Sequence, residues 1–304
     1  MQISSFSSRF PKDVPWRKFQ LGITGEPIDD RGIAAVDLVK SKCEKVVSVQ
    51  YKPDSFEICV DEQVVNIDRF LDFFGSLACD SIVLEATTLG FVEILVCCRA
   101  LRANRIGNFA ISYVEPLRYN QPRRRHLLHS RDFELSDEVH NYQGIPGNLT
   151  LLRDRRETKS VFFLGYEDSR FRRAFEELQM IESSRTSVTF GVPAFCPGWE
   201  MDAIANNIGV LREYNVRGGI HYCGATNPLA VVELLDEVKA SLSDRERLLI
   251  VPLGTKPHSI GVALFASANR DVGLMYDNPI KQSRRGDNLA TWHLYEIEGH
   301  LERT

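Results

Sequence analysis

The chain has 304 residues, 43% of them hydrophobic and 26% charged, with a formal net charge of -4. That composition excludes a disordered chain and supplies apolar material for two cores. The slight negative excess argues against a protein that coats duplex nucleic acid, while leaving room for a local basic pocket.

Residues 1–17 read as an irregular arm. A first domain is expected over 18–118. It opens on a strand over 19–24 (FQLGIT), followed by an acidic turn and a short amphipathic helix over 33–40. Strands over 46–51 and 56–60 flank a Pro-Asp turn. A helix over 65–77 carries Ile67, Phe70, Leu71 and Phe74 on one face. Then come a buried strand over 81–86, a buried helix over 91–101 and a strand over 109–114. Glu85 and Glu93 stand inside this apolar strand and helix, so each needs a partner, structural or functional.

Residues 119–158 are charged, broken by Gly and Pro and weakly periodic, and read as a connector. The basic run Arg123-Arg124-Arg125 suits a solvated linker better than a phosphate patch.

The second domain, 159–304, restarts the alternation. Strands are expected over 161–166, 188–190, 220–223, 248–253, 273–276 and 291–297. Helices are expected over 170–178, 201–214, 229–242 and from about Ser259 onward, with Ser259 as cap. Gly191-Val-Pro-Ala-Phe-Cys-Pro-Gly-Trp199 is a stiff aromatic loop, read as a packed turn or a lid. Strands alternating with helices predict an α/β protein built of two tandem Rossmann-like parallel-sheet domains. The halves also match each other: Thr87 with Thr255, Tyr113 with Tyr276, Gly22 with Gly165. An internal duplication is therefore expected.

The stretch with most chemistry is 248–279. Its apolar strand ends in Gly254-Thr255-Lys256, and an apolar helix follows. A helix N-terminus with free N–H groups, a hydroxyl and a lysine suits an anion, and an ordinary strand-to-helix turn is the alternative. His258, two residues on, is either a helix-start residue or a base. Tyr166, Glu167, Ser169 and Arg170 follow the domain's first strand. They offer stacking, a ribose or base-edge acceptor and a phosphate contact; alternatively Asp168 or Ser169 caps the helix and the arginines form its solvated face. Asn227 ends another strand, in a segment that turn chemistry alone also explains. No metal-ligand spacing occurs among the seven cysteines and seven histidines, so no metal and no cofactor are expected. Unpatterned, odd-numbered cysteines fit a reducing cytoplasm. Residues 1–13 lack the apolar core of a signal peptide, and no apolar stretch is long enough for a membrane span.

At Pro252-Leu253-Gly254-Thr255-Lys256 and the apolar helix beyond it, the chain resembles the CARF family, the CRISPR-associated Rossmann-fold sensor domains. It also resembles the related SAVED domains, which are two such folds in one chain. The resemblance implies binding of a nucleotide, including cyclic oligonucleotides, at Gly254, Thr255 and Lys256. By position it adds Tyr166, Glu167, Ser169 and Arg170; Asn227, at another strand end, is a further candidate for the same cleft, and Thr87 and Thr88 are candidates as the first domain's counterpart of the turn. That domain departs from the pattern, because Ala86-Thr87-Thr88 has neither glycine nor lysine. The implied role is a sensing subunit of an anti-phage or CRISPR-linked defence pathway with a protein partner. A metal-independent, ring-nuclease-like enzyme using His258 and a ligand-free scaffold are the alternatives.

Overall fold

The computed structural model describes residues 1–77, 79–119, 136–138, 141–148, 157–178, 181–281 and 286–301. The run Arg123–Arg125 lies outside them. The chain divides into two units. The first takes residues 1–119, 266–268 and the C-terminal stretch from 286. The second takes the other described residues between 136 and 281.

The first unit runs β1 (Gln2–Ser8), β2 (Phe19–Thr24), α1 (Asp30–Lys42), β3 (Cys43–Lys52), β4 (Glu57–Val60), β5 (Gln63–Asn66), α2 (Phe70–Leu77), β6 (Ile82–Glu85), α3 (Phe91–Ala103) and β7 (Phe109–Tyr119). The second unit supplies β8 (Ser136–Glu138), β9 (Gln143–Gly144), β10 (Glu157–Leu164), α4 (Asp168–Glu177), β11 (Thr186–Gly191), α5 (Trp199–Glu213), β12 (Ile220–Cys223), α6 (Pro228–Ala240), β13 (Glu246–Pro252), all but the last three residues of α7 (Lys256–Ala268), β14 (Gly273–Tyr276) and β15 (Ile280–Lys281). The last strand, β16 (Gly286–Glu298), returns to the first unit.

The first sheet has the order β1-β16-β7-β6-β2-β3-β4-β5. Its centre, β7-β6-β2-β3, is parallel. These central strands are apolar runs buried on both faces, as parallel strands under helices must be; β6 (IVLE) is buried throughout. Phe19, Val39, Val83, Val114 and Leu294 form the core on which α1 lies.

Both flanks are antiparallel, so the expected all-parallel sheet is in fact mixed. The expected arm contains β1, paired with β16 from Gln2↔Glu298 to Ser8↔Trp292. β16 in turn pairs with β7, so the last strand closes the first sheet instead of ending the second. The second domain is therefore not 159–304. The expected helix over 65–77 starts only at Phe70, because β5, rich in β-branched valine, pairs with β4.

The second sheet has the order β12-β11-β10-β13-β14-β9. Its first five strands are parallel and β9 is antiparallel. Side chains alternate across it. Phe162 stacks on Phe175 and meets Phe171 edge-on, both from α4, whereas its neighbour Phe163 meets His258 of α7. α7 is apolar around nearly its whole circumference and buried, from Ile260 to Ala266. No helix among the described residues is long and apolar enough to cross a membrane.

The parallel orders β3-β2-β6-β7 and β11-β10-β13-β14 correspond strand for strand. Ile23 pairs with Leu84, and Phe163 with Pro252, so Thr87 and Thr255 occupy equivalent positions three residues beyond. The same register matches Gly165 with Gly25, not with Gly22. It sets Tyr276 level with Pro252, two residues short of the level of Tyr113. This strand order is common to doubly wound sheets, so it shows a shared fold type and does not by itself establish a duplication.

Candidate functional site at the carboxyl edge of the second sheet

Strand order reverses between β10 and β13: β11 and β12 lie to one side, β14 to the other. In open α/β sheets this switch point, at the strands' carboxyl ends, is where loops diverge and ligands enter. The two loops here are 165–167 and 253–255. They lie close together: a Cβ on Gly165 would stand 2.8 Å from the Leu253 carbonyl oxygen. Asn207 and Asn206 of α5 hold the first loop, donating to the carbonyls of Gly165 (2.9 Å) and Tyr166 (3.0 Å). The sequence gives no signal for these two beyond an amide pair within a helix.

Thr255, not Ser259, caps α7. Its hydroxyl accepts from the His258 N–H (3.4 Å) and donates to the Ala225 carbonyl (2.7 Å). Its one proton is thereby committed to the protein, so the expected donation to an anion is not available. Pro257 has no N–H, and the His258 N–H is capped. An anion at this end would have to be met by the amides that precede Pro257, those of Gly254, Thr255 and Lys256. Lys256 is half-buried on the first turn.

His258 is fully buried. Its Nε2 lies 3.3 Å from the Cys223 carbonyl, which can only accept, so Nε2 carries the proton. Nδ1 is then a bare acceptor, buried and without a hydrogen-bond partner among the described residues. Burial pulls the pKa of His258 down to about 4, against the opposing hydrogen bonds to Cys223 and Gly224. It is a neutral imidazole that ties α7 to the end of β12, not an exposed base. A Cβ on Gly254 would sit 2.8 Å from Nδ1. The glycine of the Gly-Thr-Lys turn is thus required by the histidine behind it.

Arg170, expected to reach a ligand, is instead buried against Asp277 just beyond β14. Nε donates to Oδ2 at 2.7 Å and Nη2 to Oδ1 at 2.5 Å. Glu167 Oε2 lies 3.7 Å from Nη1, and the Tyr142 hydroxyl donates to the Arg170 carbonyl (2.7 Å). Burial works against the guanidinium charge, but Asp277 outweighs it and holds the Arg170 pKa well above its ordinary value. Asp277 was legible in the sequence only as part of a strand-ending turn. Tyr166 is buried edge-on against Trp199 at 6.1 Å and is no open stacking platform. Glu167 also accepts from Ser136 (3.2 Å). It occupies the cap position of α4 without a side-chain cap bond, so neither Asp168 nor Ser169 is the cap. Ser169 is exposed. Asn227 is exposed and caps α6, accepting from the Ala230 N–H at 3.1 Å.

In the first unit the equivalent turn is already filled. Glu85 accepts from the amides of Thr87 (2.8 Å) and Thr88 (2.9 Å) and from the Thr88 hydroxyl (2.5 Å). Thr88 Oγ1 also accepts from Gly25 N, and Thr87 Oγ1 from Val114 N. Both threonines are nearly buried. A carboxylate of the chain itself occupies the place an anion would take, so Thr87 and Thr88 do not form an open site. Glu93 likewise has a structural partner, the amide of Tyr51 (3.0 Å).

No family model matches the chain, and no curated protein matches it. Among solved structures, it is similar to the crystal structure of a ketoreductase domain from the bacillaene assembly line. Identity is 10% and the TM-score is 0.20, over 82% of this chain and 61% of that one. A likeness this slight carries no argument about fold or chemistry.

Proposed function

We propose that the second unit binds a phosphate-bearing nucleotide at the turn Gly254-Thr255-Lys256, as a sensing module. The observation that carries this is the position of the turn. It sits at the reversal of strand order, at the amino end of α7, with a lysine on the first helical turn. Gly254, Thr255 and Lys256 would supply amide donors, and Lys256 a charge. Glu167, on the neighbouring loop, and Asp168, at the start of α4, would suit ribose hydroxyls or a base edge better than phosphate. A cyclic oligonucleotide ligand, a protein partner and a role in anti-phage defence rest on the resemblance to CARF and SAVED domains alone.

Binding is favoured over cleavage because the one base offered for metal-independent chemistry, His258, is enclosed and neutral. The test is mass spectrometry of nucleotides released from purified protein on denaturation, followed by calorimetric titration with the species found. If nothing is released, ATP and cyclic oligoadenylates are titrated directly. Binding by the wild type that Lys256→Ala weakens supports the reading; no binding by the wild type refutes it.

A further inference from the structure

β12 ends the second sheet, and no described strand pairs with its outer side. Its inner side is fixed by two bonds: Val188 N donates to the Gly219 carbonyl and Val192 N to the Cys223 carbonyl. Backbone groups alternate along a strand, so 219, 221 and 223 face β11, while the N–H and C=O of Ile220 and Tyr222 face outward. Natural edges are usually blunted by lysine, proline or a bulge. Ile220-His221-Tyr222-Cys223 has none of these, and only its shortness limits the pairing it offers.

The edge is also apolar and shaped. Ile220 and Tyr222 are 50% and 59% exposed. They are level with Val188 and Phe190, and Val188 is level with Phe162, which packs on α4, so they face the α4–α5 layer. Met201 (64%) and Ile208 (37%) of α5 carry the apolar surface outward on that layer. At the amino end of β12 a recess of about 510 Å³ is lined by Ile208, Leu211, Val216 and Ile220, with Arg212 and Arg217 beside them. Tyr222 and Met201 project at the other end. Charge divides along the same line: Glu200 and Asp202 are in the first turn of α5, Arg212 in its last.

We propose that this edge pairs with a second copy of the chain, β12 antiparallel to its own counterpart about a two-fold axis normal to the sheet at His221. A two-fold joins each feature to its opposite end. The protruding Tyr222 and Met201 of one copy meet the recess of the other, and the acidic end of one α5 faces the basic end of the other. Glu213, the other acid near that basic end, is taken up by Arg172. Ile220 and Tyr222 then exchange backbone hydrogen bonds across the axis, and their side chains form an aromatic–β-branched cross-strand pair. The pairing is independent of any ligand at Gly254–Lys256.

The test is sedimentation of the full chain at micromolar concentration. Wild type should sediment as a dimer. Ile220→Lys and Tyr222→Asp, both at exposed positions, should raise the dissociation constant at least about tenfold with the circular dichroism of the folded chain unchanged. His221→Cys should form a disulfide-linked dimer on mild oxidation where the wild type does not. The register makes residue 221 a non-hydrogen-bonded pair across the axis, with Cα atoms about 4.5 Å apart, within disulfide reach. A monomeric wild type overturns the proposal, as does a dimer that survives both substitutions and fails to cross-link through residue 221.

Discussion

Arg170 and Asp277, 107 residues apart in the chain, meet in a buried two-point ion pair that joins the first turn of α4 to the end of β14. The Asp277 side chain is wholly enclosed and that of Arg170 nearly so. A buried pair contributes little net stability over an apolar replacement, but removing one partner strands the other charge.

Asp277→Leu should therefore destabilise the second unit by about 3–5 kcal/mol. The double substitution Arg170→Met with Asp277→Leu should cost less than either single one. Urea unfolding of the four proteins forms the cycle. Additive costs would show that the two side chains do not act as a pair.

Glu85→Gln should weaken the first unit by at least about 2 kcal/mol, since an amide cannot accept from both backbone N–H groups of its own turn as a carboxylate does. Thr88→Val removes one donor to Glu85 and the acceptor for Gly25, and should act in the same direction. Denaturant midpoints at neutral pH measure both. Stability unchanged in Glu85→Gln would mean that the carboxylate is not what holds the turn.

His258 sets a pH dependence whose sign follows from its depressed pKa. The unfolded chain takes up a proton near pH 6.5, the folded one only near 4. The stability linked to this residue is complete above about pH 6.5, falls as pH drops towards 4 and is level below. The total is about 3 kcal/mol. In His258→Gln, which keeps a donor for the Cys223 carbonyl, that slope should vanish. Chemical denaturation between pH 4 and 7 gives both curves, and parallel curves would exclude His258 as the source.

Lys256→Ala should lower nucleotide affinity by about one to two decades, the worth of a charge-assisted hydrogen bond of roughly 1.5–3 kcal/mol, with little effect on melting. Lys256→Arg should restore part of it. Thr255→Val should behave differently: it loses the helix cap and should cost about 1 kcal/mol or more of stability. Calorimetric titration with melting curves separates the two effects. Equal affinity for Lys256→Ala and wild type would reduce the turn to a purely structural one.

Much of the element order was legible because local pattern encodes it. The strands expected over 161–166 and 248–253 are present as Glu157–Leu164 and Glu246–Pro252, and the stretch after Gly254 is a buried helix, since periodicity records how many faces an element buries. The need of Glu85 for a partner was also legible, because a carboxylate in an apolar strand must be satisfied. That the partner is its own turn, two and three residues on, depends on how the chain bends after β6.

What the sequence by itself determined is most of the succession of α and β elements, though not β1 or β5, and the strand-turn-helix at Gly254–Lys256. Only the tertiary structure decided which sheet the last strand joins, that Arg170 is taken up by Asp277 and that His258 is shut off from solvent. Alternation in β16 shows that a strand is needed, but no local signal names β7 and β1 as its neighbours. In the same way, Arg170 looks like a ligand contact until folding brings Asp277 to it. A charge's function depends on what lies within a few ångströms, and for these residues that is set by chain more than a hundred positions away.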